Sequence, residues 1–109
     1  MTMTKSNQQT INQAFKINSN MRKILVLNDH RIQSVLEDEI TRIHKNKTTK
    51  LPTGDDALLL WKKIKNKEFT QRPLTPGVHK KLQELSNRLK IKESKLCTLI
   101  IYYFAKKFY

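Results

Sequence analysis

The sequence is poor in the residues on which most enzymes and secreted domains depend. It holds one cysteine, Cys97, so no intrachain disulfide can form and a Cys-based metal site would lack ligands. Its two glycines, Gly54 and Gly77, leave no glycine-rich loop to cradle a phosphate. The three histidines, His30, His44 and His79, show neither metal-ligand spacing nor an evident nucleophile partner, so neither catalysis nor a cofactor is expected. No run approaches the ~18 apolar residues of a spanning helix. No N-terminal segment reads as a signal peptide, and the expectation is a cytoplasmic protein with no membrane partner. Aromatic residues make up 7% of the chain and fall mostly inside predicted helices, which leaves no stacking surface for RNA.

Acidic residues are scarce as well. Nine Asp and Glu stand against 22 Lys and Arg, a formal net charge of +13, which points to a polyanionic partner with nucleic acid first among them. The imbalance is uneven: residues 61 to 109 hold 13 basic and 3 acidic side chains, residues 1 to 60 hold 9 and 6. At 109 residues, 38% of them hydrophobic, the chain has enough apolar material for one modest core.

Residues 1–20 are rich in Asn, Gln, Ser and Thr, with Ile11, Phe15 and Ile17 in no sustained period, and read as a flexible polar arm. The remainder, 21–109, reads as a single domain of two similar units, 21–67 and 68–109. In the first, Ile24 to Leu27 form a β-branched and apolar run stopped by Asn28-Asp29, which predicts a strand over 22–27. Ile32, Val35, Leu36, Ile40 and Ile43 then mark one face of a helix ending near Lys47, with Glu37, Asp38, Glu39 and Arg42 on its solvent side. Pro52 and Thr53-Gly54-Asp55-Asp56 start another helix over 54–66, with Trp61 as a packing anchor.

The second unit repeats the order. Phe69 to Leu74 is a short extended segment, although Pro73 lacks an amide donor. Thr75-Pro76 opens a helix whose inner face is Val78, Leu82, Leu85 and Leu89. Ile91 closes it, Lys92-Glu93-Ser94 restarts the chain, and Leu96 to Tyr109 forms a last helix with Cys97 in its core. Leu27 then corresponds to Leu74, Ile32 to Val78, Leu36 to Leu82 and Ile43 to Leu89. Two amphipathic helical hairpins that look alike by chance are the alternative.

An isolated strand would leave its backbone groups unpaired, so the two strands are expected to pair as a ribbon. The stretch Pro73-Leu74-Thr75-Pro76-Gly77-Val78-His79-Lys80-Lys81-Leu82, continued through Leu89-Lys90-Ile91-Lys92-Glu93-Ser94-Lys95-Leu96-Cys97, resembles the ribbon-helix-helix (Arc/MetJ-type) DNA-binding family. It departs from that pattern in Pro73 and in a helix-helix turn without glycine. Two copies on one chain are similar in arrangement to TraY-like relaxosome accessory proteins of conjugative plasmids. The resemblance implies a mainly α fold with a short two-stranded antiparallel ribbon, in the order β-α-α-β-α-α. It implies sequence-specific binding of double-stranded DNA by the ribbon in the major groove, either as a plasmid or mobile-element accessory factor or as a transcriptional autorepressor. A homodimer or higher assembly on DNA, and a relaxase or other protein partner, belong to the same implication.

The resemblance places base-reading side chains on the ribbon, at Arg22 and Lys23 in the first strand and Gln71 and Arg72 in the second. It places phosphate contacts at the starts of the second helices, Thr53 and Gly54 in one unit and Lys92, Ser94 and Lys95 in the other. Asp55 and Asp56 would repel phosphate in the first unit, so unequal halves are expected. A helical interaction module, antitoxin-like or scaffolding, that uses its apolar second helices for a protein partner is the rival reading.

Overall fold

A computed structural model describes residues 9–46 and 50–108. Strand β1 (Ile11–Ile17) leads into helices α1 (Ser19–Leu27) and α2 (Ile32–Lys45), and α3 (Gly54–Lys63) then leads to strand β2 (Glu68–Leu74) and helices α4 (Pro76–Leu89) and α5 (Glu93–Ala105). A 3-10 turn, Lys106–Phe108, follows α5. The coarse expectation therefore holds: the chain is mostly helical, with one two-stranded antiparallel ribbon among the described residues.

The first strand lies elsewhere than expected. Residues 24–27 are wound into α1, and β1 occupies part of the supposed arm. Two local forces explain this. Asn18 takes an extended conformation and its side chain accepts from the Met21 amide at 2.9 Å, which satisfies a free donor of the first helical turn. Met21 and Leu25, one turn apart, are fully buried while Lys23 between them is exposed, whereas in a strand residue 23 would lie on the same face as both. The cost is visible in Val26 and Leu27, left 66% and 81% exposed. Placing Leu27 opposite Leu74 in the comparison of units is corrected accordingly, and so is the alignment of helices built on it.

In β1, Gln13, Phe15 and Ile17 turn inward, and Thr70 and Leu74 do the same from β2. Ile11 pairs with Leu74, Ala14 with Gln71 and Ile17 with Glu68. Each strand runs straight into a capped helix. Thr75 caps α4 as Asn18 caps α1, its hydroxyl accepting from the Val78 amide at 3.4 Å, with Pro76 in the first turn. Counted back from the two caps, Ala14 and Gln71 hold the same position, and they are each other's partner.

The two helical corners also match. After α1 the backbone turns through Asp29 at φ 59°, and after α4 through Lys90 at φ 57°. In each, the next amide reaches back five residues: His30 N to Leu25 O at 2.8 Å, Ile91 N to Ser86 O at 3.2 Å. This is the left-handed closure that glycine usually supplies. The residue after next starts the following helix, Arg31 for α2 and Lys92 for α5.

α5 is the centre of the core. Leu96 to Ile101 are all buried, Thr98 included, and α5 lies against β1, α2, α3, α1 and α4. Each Leu or Ile removed from water there contributes about 1.5–3 kcal/mol. Ile32, Val35, Leu36, Ile40 and Ile43 are buried on α2 as the periodicity predicts, but Glu39 is not on the solvent side. It is only 9% exposed and binds Arg42 through two hydrogen bonds, of 2.8 and 3.2 Å. α2 ends at Lys45; the expected end near Lys47 lies outside the described residues, as does Tyr109.

Candidate nucleic-acid interface

Alternation along the strands places Asn12, Ala14 and Lys16 of β1 on the outer side of the ribbon, and with them Phe69, Gln71 and Pro73 of β2. The register makes these six into three facing pairs: Asn12 with Pro73, Ala14 with Gln71, and Lys16 with Phe69. Asn12, Lys16, Phe69 and Gln71 are exposed. Neighbouring backbones in such a ribbon are about 4.7–4.9 Å apart, so the six side chains form a narrow strip with amide, ammonium and apolar groups side by side.

Of the base-reading candidates, the structure places only Gln71 on this strip. Arg72 faces the other way and is tied down, its Nη1 donating to Thr70 Oγ1 at 2.7 Å and to the Gln71 carbonyl at 2.7 Å. Arg22 and Lys23 lie on α1, so they are not ribbon residues at all. Asn12, Ala14, Lys16, Phe69 and Pro73 were missed. For the β2 members the signal was present, because a buried Leu74 fixes the parity and sends Pro73, Gln71 and Phe69 outward.

Helix starts flank the strip. α1 and α4 are closed by side-chain caps, but α2 and α5 are not: each has a basic residue at the cap, Arg31 and Lys92, and no side-chain hydrogen bond to its first amides. Those amides carry the positive end of the helix dipole. The expected site at Lys92, Ser94 and Lys95 therefore sits at a helix start without a side-chain cap, with one carboxylate, Glu93, in its first turn. The start of α2 at Arg31 is likewise uncapped, and so is the other expected site at Thr53 and Gly54. The latter pair begins α3, where Asp55 and Asp56 occupy the first turn and already complement the dipole.

Beside the Lys16–Phe69 end of the strip, Ser94 and Lys95 line a shallow hollow of about 230 Å³ together with Ala14 and Trp61. Two ammonium groups approach the Trp61 ring, Lys67 at 4.1 Å and Lys95 at 4.6 Å from its centroid. The Trp61 Nε1 is buried and finds no partner among the described residues. Lys67 also donates to the Ile64 and Trp61 carbonyls, at 2.5 and 3.2 Å, and so closes the end of α3. Burial pushes the Lys67 ammonium below its ordinary range, and the neighbouring Lys16 charge adds to this.

The second helices are fixed to the ends of the strands. The Thr98 hydroxyl donates to the Lys16 carbonyl at 2.6 Å, and a Glu37 carboxylate oxygen accepts from the Thr75 amide at 3.1 Å. Counted from Lys92 and Arg31, Thr98 and Glu37 hold the same position. Strip and helix starts thus form one connected surface. Among the described residues no group of His, Cys, Asp and Glu is arranged to hold a metal ion, and no helix is long and apolar enough to cross a membrane. The chain matches no family model, no curated protein and no solved structure.

Proposed function

We propose that this protein binds double-stranded DNA with sequence preference, by laying the outer side of the β1–β2 ribbon in the major groove. On this reading β1-α1-α2 and β2-α4-α5 are two ribbon-helix-helix units on one chain, and α3 connects them. The observation that carries it is the pairing of Ala14 with Gln71, because only a ribbon centred on equivalent positions puts two strand-helix-helix units about a twofold axis. B-DNA offers a major groove about 12 Å wide that accepts a two-stranded ribbon. The free starts of α2 and α5, each with a basic cap residue, suit the phosphates on either side.

The charge of +13 supplies the long-range attraction, and Asn12, Lys16 and Gln71 supply hydrogen-bonding groups that distinguish bases. A single chain completes its own ribbon, so the binding unit is the monomer, and further copies would add along the DNA. A plasmid or mobile-element accessory factor and a transcriptional autorepressor both use this step. The rival reading needs an apolar helix available to a protein partner; α5 spends its apolar face in the core, and what α3 leaves open is chiefly Leu59.

Duplex binding measured against salt tests the proposal. A protein touching six to ten phosphates loses about 10³–10⁵ in affinity between 50 and 200 mM salt. Such a loss, together with preference for particular duplexes that Gln71→Ala weakens, is the expected result. Weak binding that ignores both salt and sequence would refute it.

A further inference from the structure

The outer strip of the ribbon is unlike at its two ends. Asn12 stands beside Pro73 at one, Lys16 beside Phe69 at the other, with Ala14 and Gln71 in the middle. In a ribbon made by two identical chains every outward residue occurs twice, so the two halves of the DNA site are read alike. Here the equivalent positions are Asn12 and Phe69, Ala14 and Gln71, and Lys16 and Pro73, and no side chain is repeated.

Resting on the proposal that this strip enters a groove, we infer that the target is non-palindromic and directional, with its tightly read half under the Lys16–Phe69 end. The chemistry of the two ends is unequal. The Lys16 ammonium suits the O6 and N7 acceptors of guanine, and Phe69, 63% exposed, offers apolar surface to a thymine methyl. Asn12 suits adenine, but its neighbour Pro73 brings neither a polar side chain nor a backbone donor.

The flanking helix starts do not follow the same ranking, since α5 carries Glu93 in its first turn and α2 carries no acidic residue there. Ser94 and Lys95, at the free start of α5, line the hollow next to Lys16 and Phe69. At the other end the α2 start is preceded by the Asp29 turn, and Glu37 brings a carboxylate to the Thr75 amide. Base reading is therefore what distinguishes the two sides of the pseudo-twofold axis. The site has a strong half and a weak half, and the protein binds it in one orientation.

Selection by the full chain from a pool of random-sequence duplexes, repeated with Lys16→Ala and Asn12→Ala, tests this. Both side chains are exposed, so neither change threatens the fold. The expected motif is asymmetric, with guanine and thymine in one half. Lys16→Ala erases preference in that half only, and Asn12→Ala in the other only. Substituting a base pair of the strong half costs roughly tenfold in affinity, and reversing the weak half costs only a fewfold. A palindromic motif, or relaxation of the same half by both variants, overturns the directional site while leaving DNA recognition by the ribbon in place. No enriched motif at all overturns both.

Discussion

The hydroxyl of Thr98, in the middle of α5, donates to the main-chain carbonyl of Lys16 in β1 across 2.6 Å. A two-stranded ribbon leaves one edge of each strand without a partner strand, and this bond satisfies an edge carbonyl from inside the core, where Thr98 is fully buried. Thr98→Val keeps the shape and removes the donor, so the Lys16 carbonyl loses this partner. Urea unfolding should show a loss of about 1–3 kcal/mol. A change near zero would mean that water replaces the hydroxyl and that the strand is held by its β2 pairing alone.

Lys90 makes the α4–α5 corner at φ 57°, a conformation costing a side-chain-bearing residue roughly 1–2 kcal/mol. Glycine avoids that cost but gives up about 0.5–1 kcal/mol in greater freedom of the unfolded chain. Lys90→Gly should therefore stabilise by about 0.5–1 kcal/mol in chemical denaturation. Asp29→Gly, at the matching corner, should gain less, because Asp tolerates the left-handed region better than Lys. A loss of stability in Lys90→Gly would show that the Lys90 side chain makes contacts worth more than the backbone conformation costs.

Burial, and secondarily the negative charge of Glu93, push the Cys97 thiol far above its ordinary range. A neutral buried thiol is a poor nucleophile, so thiol reagents should leave the native protein untouched and react in step with unfolding in urea. The sign for pH follows. The unfolded chain ionises above about pH 8.5 while the folded one stays protonated. Stability contributed by the thiol is thus complete below that pH and declines as pH rises beyond it. Cys97→Ala should lack this alkaline decline; an identical decline in the variant would place its cause elsewhere.

The half of the molecule from Glu68 onward was legible because its signals are local and agree: Thr75-Pro76 starts a helix, and Leu82, Leu85 and Leu89 give it one face. Even there Arg72 was placed on the wrong side, although alternation from the buried Leu74 turns it inward with Thr70. β1 was hidden by its own inner side. Ile11, Phe15 and Ile17 share one parity, but Gln13 interrupts them, and Gln13 is nonetheless buried. Ile24 to Leu27 misled because four adjacent apolar residues, two of them β-branched, outweigh a single cap residue on a local scale. The Asn18 cap and the burial of Met21 and Leu25 decide for helix, and that burial depends on α5, far along the chain. With β1 misplaced, the second helix after the first strand was expected to start at Thr53 and Gly54, whereas in the chain it is α2, which starts after Arg31.

Arg31 and Lys92 provide the test that separates the corrected arrangement from the one read in the sequence. Each is the cap residue of a helix whose first amides have no side-chain acceptor, so a phosphate placed there meets both a cation and the free amides. Phosphate contacts strengthen binding to every duplex alike, and each one removed lowers the salt dependence by about one ion. Arg31→Ala and Lys92→Ala should each weaken DNA binding uniformly across sequences and flatten the plot of log affinity against log salt by about one unit. Lys62→Ala, on the exposed side of α3, should do less. The amides remain when the side chains are gone, so the double variant should keep its sequence preference, carried by Gln71 and Lys16, at reduced affinity. If instead removal of Asp55 and Asp56 strengthened binding more than removal of Arg31 weakened it, the start of α3 would be the phosphate site and the pairing of α2 with α5 would be wrong.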